Sequence, residues 1–137
     1  MPGLIVDAWQ YILHYKMTDK TRKPAEETRQ AQLLKGLAEL ALLSLLDERA
    51  HYGLEILERL RGEAGLGLAE GTIYPLLHRL ERSGLTQAEW RLDEGGNRPR
   101  KYYALTDAGR RDLALQLADW QRIAAALGAF LNRGGKP

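Results

Sequence analysis

Cysteine is absent from the 137 residues, so neither a disulfide nor a thiolate-held metal can be part of the fold. A reduced, cytoplasmic setting fits that composition. Histidine is scarce: His14, His51 and His78 fall in three separate elements, with no paired acids at ligand spacing. No metal and no cofactor is therefore expected. Serine occurs only as Ser44, inside an apolar run, and Ser83, at a helix end, so no nucleophile elbow is present. Gly65, Gly67 and Gly71 miss the dinucleotide-binding pattern because Glu70 stands where its third glycine belongs. With no catalytic motif left, the chain is not read as an enzyme. Long hydrophobic runs are lacking as well. Residues 4–16, with Ile5, Ala8, Trp9, Ile12 and Leu13 at helical spacing, are too short to span a bilayer. They also have neither the basic start and cleavage site of a signal peptide nor the basic face of a membrane-surface helix. No membrane partner is expected. The excess of positive charge is slight, a net +2, so any footprint for a polyanion must come from clustering. What is abundant is apolar: hydrophobic residues make up 45%, too many for a disordered chain. The length suits one domain with an appendage.

The most informative stretch is 66–84, LGLAEGTIYPLLHRLERSG. Ile73, Leu76, Leu77 and Leu80 recur at i, i+3, i+4 and i+7 and share one helical face. Gly71, Pro75, His78 and Arg82 take the opposite face, with Tyr74 and Arg79 on the flanks. Pro75 is placed in the first turn, where a missing N–H costs little, and Gly84 marks the stop. Such a helix, greasy behind and small, hydroxyl-bearing and cationic in front, can lie against a duplex. The bland alternative is an ordinary amphipathic surface helix.

The rest of the chain supplies context. Residues 18–23 read as a linker, and Pro24 followed by Glu26 and Glu27 as a helix start. The run 33–46 is apolar nearly all round, as in a central buried helix ending near Asp47. A second helix is predicted over 52–64, with Gly53, Ile56, Leu57 and Leu60 inward; Gly62, Gly65 and Gly67 break the chain after it. Residues 85–92 switch to a period of two, with Ala88, Trp90 and Leu92 alternating with polar neighbours. DEGGNRP at 93–99 is a turn, and 100–105 is a return strand with Tyr103 and Leu105 on one face. Arg98, Arg100 and Lys101 cluster there. Thr106 is a predicted N-cap with Asp107 in the first turn. The helix after it carries Leu113, Leu117, Trp120, Ala124, Leu127 and Leu131 at heptad spacing. A second stripe, Leu115, Ile123, Ala126 and Phe130, runs beside the first. Two stripes on one helix need a second surface, most simply the same helix of another copy.

Three helices, a hairpin and a long helix are the order of a winged helix-turn-helix, mainly α with a small β-hairpin. The predicted domains are an N-terminal helical extension and linker (1–32), the winged helix (33–105) and a dimerisation helix with its tail (106–137).

The motifs LLKG at 33–36, HYGLEI at 51–56, EGTIYPLLHRLERSGL at 70–85, EW at 89–90 and GNRPRKYYALTDAGR at 96–110 resemble the PadR-like transcriptional regulators. The resemblance spans about residues 33–120. It implies a homodimer that binds double-stranded DNA, represses transcription and releases its operator when a small molecule binds; two recognition helices related by a two-fold axis would favour a near-palindromic operator. Carried over by position, Thr72, Tyr74, Pro75, Arg79, Arg98, Arg100 and Lys101 fall where the family contacts DNA, and Tyr52 matches the family's tyrosine at the start of the second helix. His78 joins them from its place on the outward helix face. The single C-terminal helix looks like the family's shorter branch; the first thirty or so residues have no counterpart in its common pattern.

Two questions stay open at the level of sequence. A winged helix that only binds protein would show no salt-dependent affinity for DNA. Trp120, at the middle of the heptad seam, is bulkier than such a seam packs closely. It either walls a gap at the dimer centre suited to a planar aromatic effector or packs as core.

Overall fold

The computed structural model describes residues 29, 33, 34, 36–93 and 95–134. The predicted N-terminal helix at 4–16, the linker after it and the helix start at Pro24 lie outside the described residues. The elements run α1 (Leu37–Glu48), β1 (His51–Tyr52), α2 (Gly53–Ala64), α3 (Glu70–Arg82), β2 (Thr86–Leu92), β3 (Pro99–Leu105) and α4 (Asp107–Leu131). This is the mainly helical winged architecture that the order of elements predicts.

The core lies where helical and strand periods converge. Leu42, Leu43, Leu45 and Leu46 of α1, Ile56, Leu57 and Leu60 of α2, and Ile73, Leu76, Leu77 and Leu80 of α3 are buried together with Tyr103, Leu105 and Leu113. Removing each such side chain from water contributes about 2 kcal/mol, and that term holds these short helices in place. The first helix departs from its predicted bounds. It begins at Leu37, because Gly36 takes a left-handed φ of 91° that interrupts the apolar run, and Leu33 is exposed.

The hairpin is part of a sheet of three antiparallel strands, ordered β1-β3-β2. The added strand, β1, pairs His51 with Tyr103 and Tyr52 with Tyr102. In the hairpin, Thr86 faces Leu105 and the register runs to Leu92 opposite Pro99. Asp93 closes the tip: its backbone N–H donates to Arg98 O at 2.7 Å, and its side chain accepts from the Asn97 N–H at 3.0 Å. The alternation of β2 outruns the core, so Trp90 and Leu92 are exposed although they share the face of Ala88.

The start of α4 is locked to the base of the hairpin. As predicted, Thr106 caps it: the hydroxyl accepts from Gly109 N–H at 3.0 Å. The same hydroxyl donates to Gly84 O at 2.6 Å, and the Thr106 N–H donates to Leu85 O at 3.1 Å. Leu113, the first residue of the expected dimer seam, packs in the chain's own core instead, and beyond it the apolar side chains of α4 leave the core. Leu117 and Trp120 are each 42% exposed and Leu131 66%.

Candidate nucleic-acid interface

Helix α3 presents the face predicted for it. Gly71, Thr72, Pro75, His78 and Arg82 are exposed, and the whole apolar face behind them is buried. The position of Pro75 is a correction. The helix starts at Glu70, with the Thr72 and Ile73 N–H groups both donating to Ala69 O, so Pro75 lies in the second turn and not the first. Its ring therefore falls against the turn of Gly71, whose carbonyl has no i+4 donor. A Cβ added at Gly71 would meet nothing within 4 Å, so the fit does not depend on the glycine.

The flanks of α3 are tied down. Positions 79 and 81 lie roughly 200° apart around the helix axis. On one side Glu81 accepts from Lys101 of β3 at 3.4 Å. On the other, Glu39 of α1 accepts from Arg79 at 2.5 Å. Tyr74 is half-buried against the start of α2: a Cβ placed on Gly53 would stand 2.7 Å from its ring and hydroxyl. Burial pushes the Tyr74 hydroxyl above its ordinary pKa, so it stays protonated. Arg82, left off the predicted site despite its outward position, is exposed and is a further cation of that face.

The wing cations do not form one cluster. Strand alternation sends Lys101 to the face of Tyr103, where its ammonium lies 5.3 Å from that ring, beside Glu81. Arg100 goes to the other face. Its guanidinium lies 4.2 Å from the centroid of Tyr52, which meets Tyr102 edge-on at 5.4 Å. Arg91 covers Tyr102 at 4.9 Å and donates to Glu89 at 2.6 Å. Two arginines and two tyrosines thus form a stacked platform on the outer sheet face, which brings Tyr52 to Arg100. Burial raises the Tyr52 pKa, with Arg100 opposing. Arg91 and Tyr102 were missed by sequence reasoning; the signal was their parity with Arg100 once a third strand is placed.

Beneath the platform, His51 is fully buried. Its Nδ1 lies 2.8 Å from Arg49 O and its Nε2 2.9 Å from an Arg59 nitrogen that also meets Glu48. Arg59 must donate, so Nε2 accepts and the proton sits on Nδ1. Burial lowers the pKa of His51.

A folded core with a polar, close-approach helix beside a cation-bearing hairpin defines a winged-helix DNA-binding protein. The sequence profile of the Transcriptional regulator PadR-like family matches residues 42–115, more than half of the chain, and the chain belongs to that family. A PadR family transcriptional regulator from Eggerthella lenta is 36% identical, with 78% of this chain and 92% of that one covered at a TM-score of 0.66. A PadR-like transcriptional regulator from Bacillus cereus is 30% identical, with 77% and 99% covered and a TM-score of 0.69. A transcriptional regulator of Mycobacterium tuberculosis is 47% identical over 49 residues, 36% of this chain and 44% of that protein. The chain is thus a DNA-binding transcriptional regulator and not an enzyme. No helix among the described residues is long and apolar enough to cross a membrane.

Proposed function

We propose that the protein is a homodimeric repressor that binds a near-palindromic operator, with α3 in the major groove and the wing beside it. Thr72, Pro75, His78 and Arg82 meet the duplex from the outward face of α3. Arg98, Arg100 and Tyr52 meet phosphates from the wing and the start of α2. Tyr74 supports that surface from behind, and Arg79 and Lys101 border it. The observation that carries the dimer is the exposed face of α4, where Leu117, Trp120, Leu127 and Leu131 stand in water on a single chain. A second copy of α4 covers them, and its two-fold axis sets two α3 helices about 34–36 Å apart. In the domain scheme that follows, 1–32 is an extension to the winged helix of 33–105, and 106–137 joins the subunits.

Electrophoretic shifts with the protein's own upstream DNA, over a salt series and alongside sedimentation of the free protein, test this. A dimer whose affinity falls steeply with salt is expected; a monomer, or affinity indifferent to salt, removes the reading. Release by a planar aromatic compound at Trp120 is the finer part of the proposal. It is supported by an indole that is 42% exposed at the middle of the seam. Tryptophan fluorescence against a panel of such compounds checks it, and quenching that survives Trp120→Ala removes it.

A further inference from the structure

Glu39 divides its carboxylate between two helices. One oxygen accepts from Nη2 of Arg79 on α3 at 2.5 Å, and the other accepts from Nε2 of Gln116 on α4 at 2.6 Å. The Gln116 amide is steadied by Asp112, one turn earlier, which accepts from the same nitrogen at 2.6 Å. The Glu39 side chain is 20% exposed and that of Arg79 54%. The carboxylate is thus the anchored end of the pair, and the guanidinium is the end that water, or a phosphate, can reach. Gln116 fixes one oxygen and so aims the other at Arg79.

We infer that Glu39 is a positioning residue that withholds Arg79 from DNA phosphate, and that α4 sets the strength of this hold through Gln116. The inference rests on the proposed placement of α3 against DNA. A guanidinium neutralised by a carboxylate adds little to phosphate neutralisation, so the contact forms only when Arg79 changes partner. An ion pair with one exposed member is weakly held, which makes that exchange accessible. A displacement of α4 that carries Gln116 away leaves the carboxylate free to turn and loosens Arg79. The subunit-joining helix thereby acts on the recognition helix through one side chain of α1.

The test measures affinity against salt for the protein's own upstream duplex and for a scrambled duplex of equal length. Glu39→Gln keeps the side-chain shape and removes the charge. It should tighten binding to both duplexes about threefold to tenfold at low salt. It should also steepen the slope of log affinity against log salt by up to about 1.8 per dimer, 0.9 for each phosphate. Both increments should vanish when Arg79→Gln is added. Gln116→Ala should change both in the same direction by a smaller amount, and it carries the test if Glu39→Gln does not fold. An unchanged or shallower slope in a variant that folds overturns the inference while leaving DNA binding in place. So does an increment that persists beside Arg79→Gln. A wild-type protein with no salt-dependent binding overturns the inference and the proposed function together.

Discussion

Helices α3 and α4 each turn one long face to solvent, and the two faces call for opposite partners. That of α3 is small, hydroxyl-bearing and cationic over a complete core. Its exposed groups are satisfied by water and improve against a polyanion. That of α4 carries Leu117, Trp120, Ile123, Leu127, Phe130 and Leu131, all largely exposed. Nothing there gains from water, and burial of each large side chain is worth about 2 kcal/mol. Exposure by itself is therefore a poor guide to function. What distinguishes a ligand-facing helix from a subunit-facing one is whether the core behind it is already closed and what chemistry is left over.

The sharpest way to break this contrast is to place charge on α4. Leu117→Asp with Leu127→Asp should abolish the dimer outright, leaving monomer or unfolded chain, because two carboxylates would be buried without partners. Sedimentation velocity reads it, and an unchanged dimer would assign the joining surface elsewhere.

The next effect concerns the seat of α4 on the wing. A Cβ at Gly109 would run into the carbonyl oxygen of Leu85, part of the rigid hairpin base. Gly109→Ala should cost about 3 kcal/mol in a urea melt. Gly53→Ala meets only the tip of the Tyr74 side chain and should cost about 1 kcal/mol. Equal losses would show that the two seats do not differ in stiffness.

On the α3 side, Arg82→Ala should weaken binding to all duplexes alike and flatten the salt slope by about 1.8 per dimer. Lys101→Ala, which removes a cation already paired with Glu81, should flatten it less. Titrations at several salt concentrations separate them, and the reverse order would put the inner wing face, not the crest of α3, on the phosphates.

The smallest effect is on pH. His51 is buried with its pKa lowered by desolvation, so the folded state resists the proton that the unfolded chain takes up near pH 6.5. Stability is full above that pH and falls as pH drops below it, by at most about 1.4 kcal/mol per unit. His51→Gln should flatten the decline between pH 6.5 and 5.5 in thermal melts. A decline identical in the variant would assign the effect to other groups.

Much of the fold was legible because it is periodic. The buried face of α3, the alternation of the hairpin, the Thr106 cap and the helical period of α4 each rest on spacings within a few residues. What escaped is either too short to have a period or joined across the chain. Strand β1 has two residues and no pattern of its own, so a bare hairpin was expected where a three-stranded sheet stands. The break at Gly36 depends on one positive φ. The start of α3 carries no sequence signal, because no side chain caps it; Ala69 serves through its backbone alone. For the site, the outward face of α3 was readable, but the fate of its charges was not. Glu39 and Arg79 are 40 residues apart, and Glu81 and Lys101 are 20 apart. No helical or strand spacing connects them.

The Thr106 node, with Gly109 pressed on Leu85, has a mechanical consequence. Because two hydrogen bonds from Thr106 and a close backbone contact at Gly109 fix the base of α4 to the hairpin, the two turn together. The 25-residue helix is then a rigid lever roughly 37 Å long. A tilt of about 5° at its base moves the far end by about 3 Å, the scale of a side-chain repacking. Run in reverse, a repacking at the distal tip is geared down into a small, firm rotation of the wing, with force delivered where displacement is least.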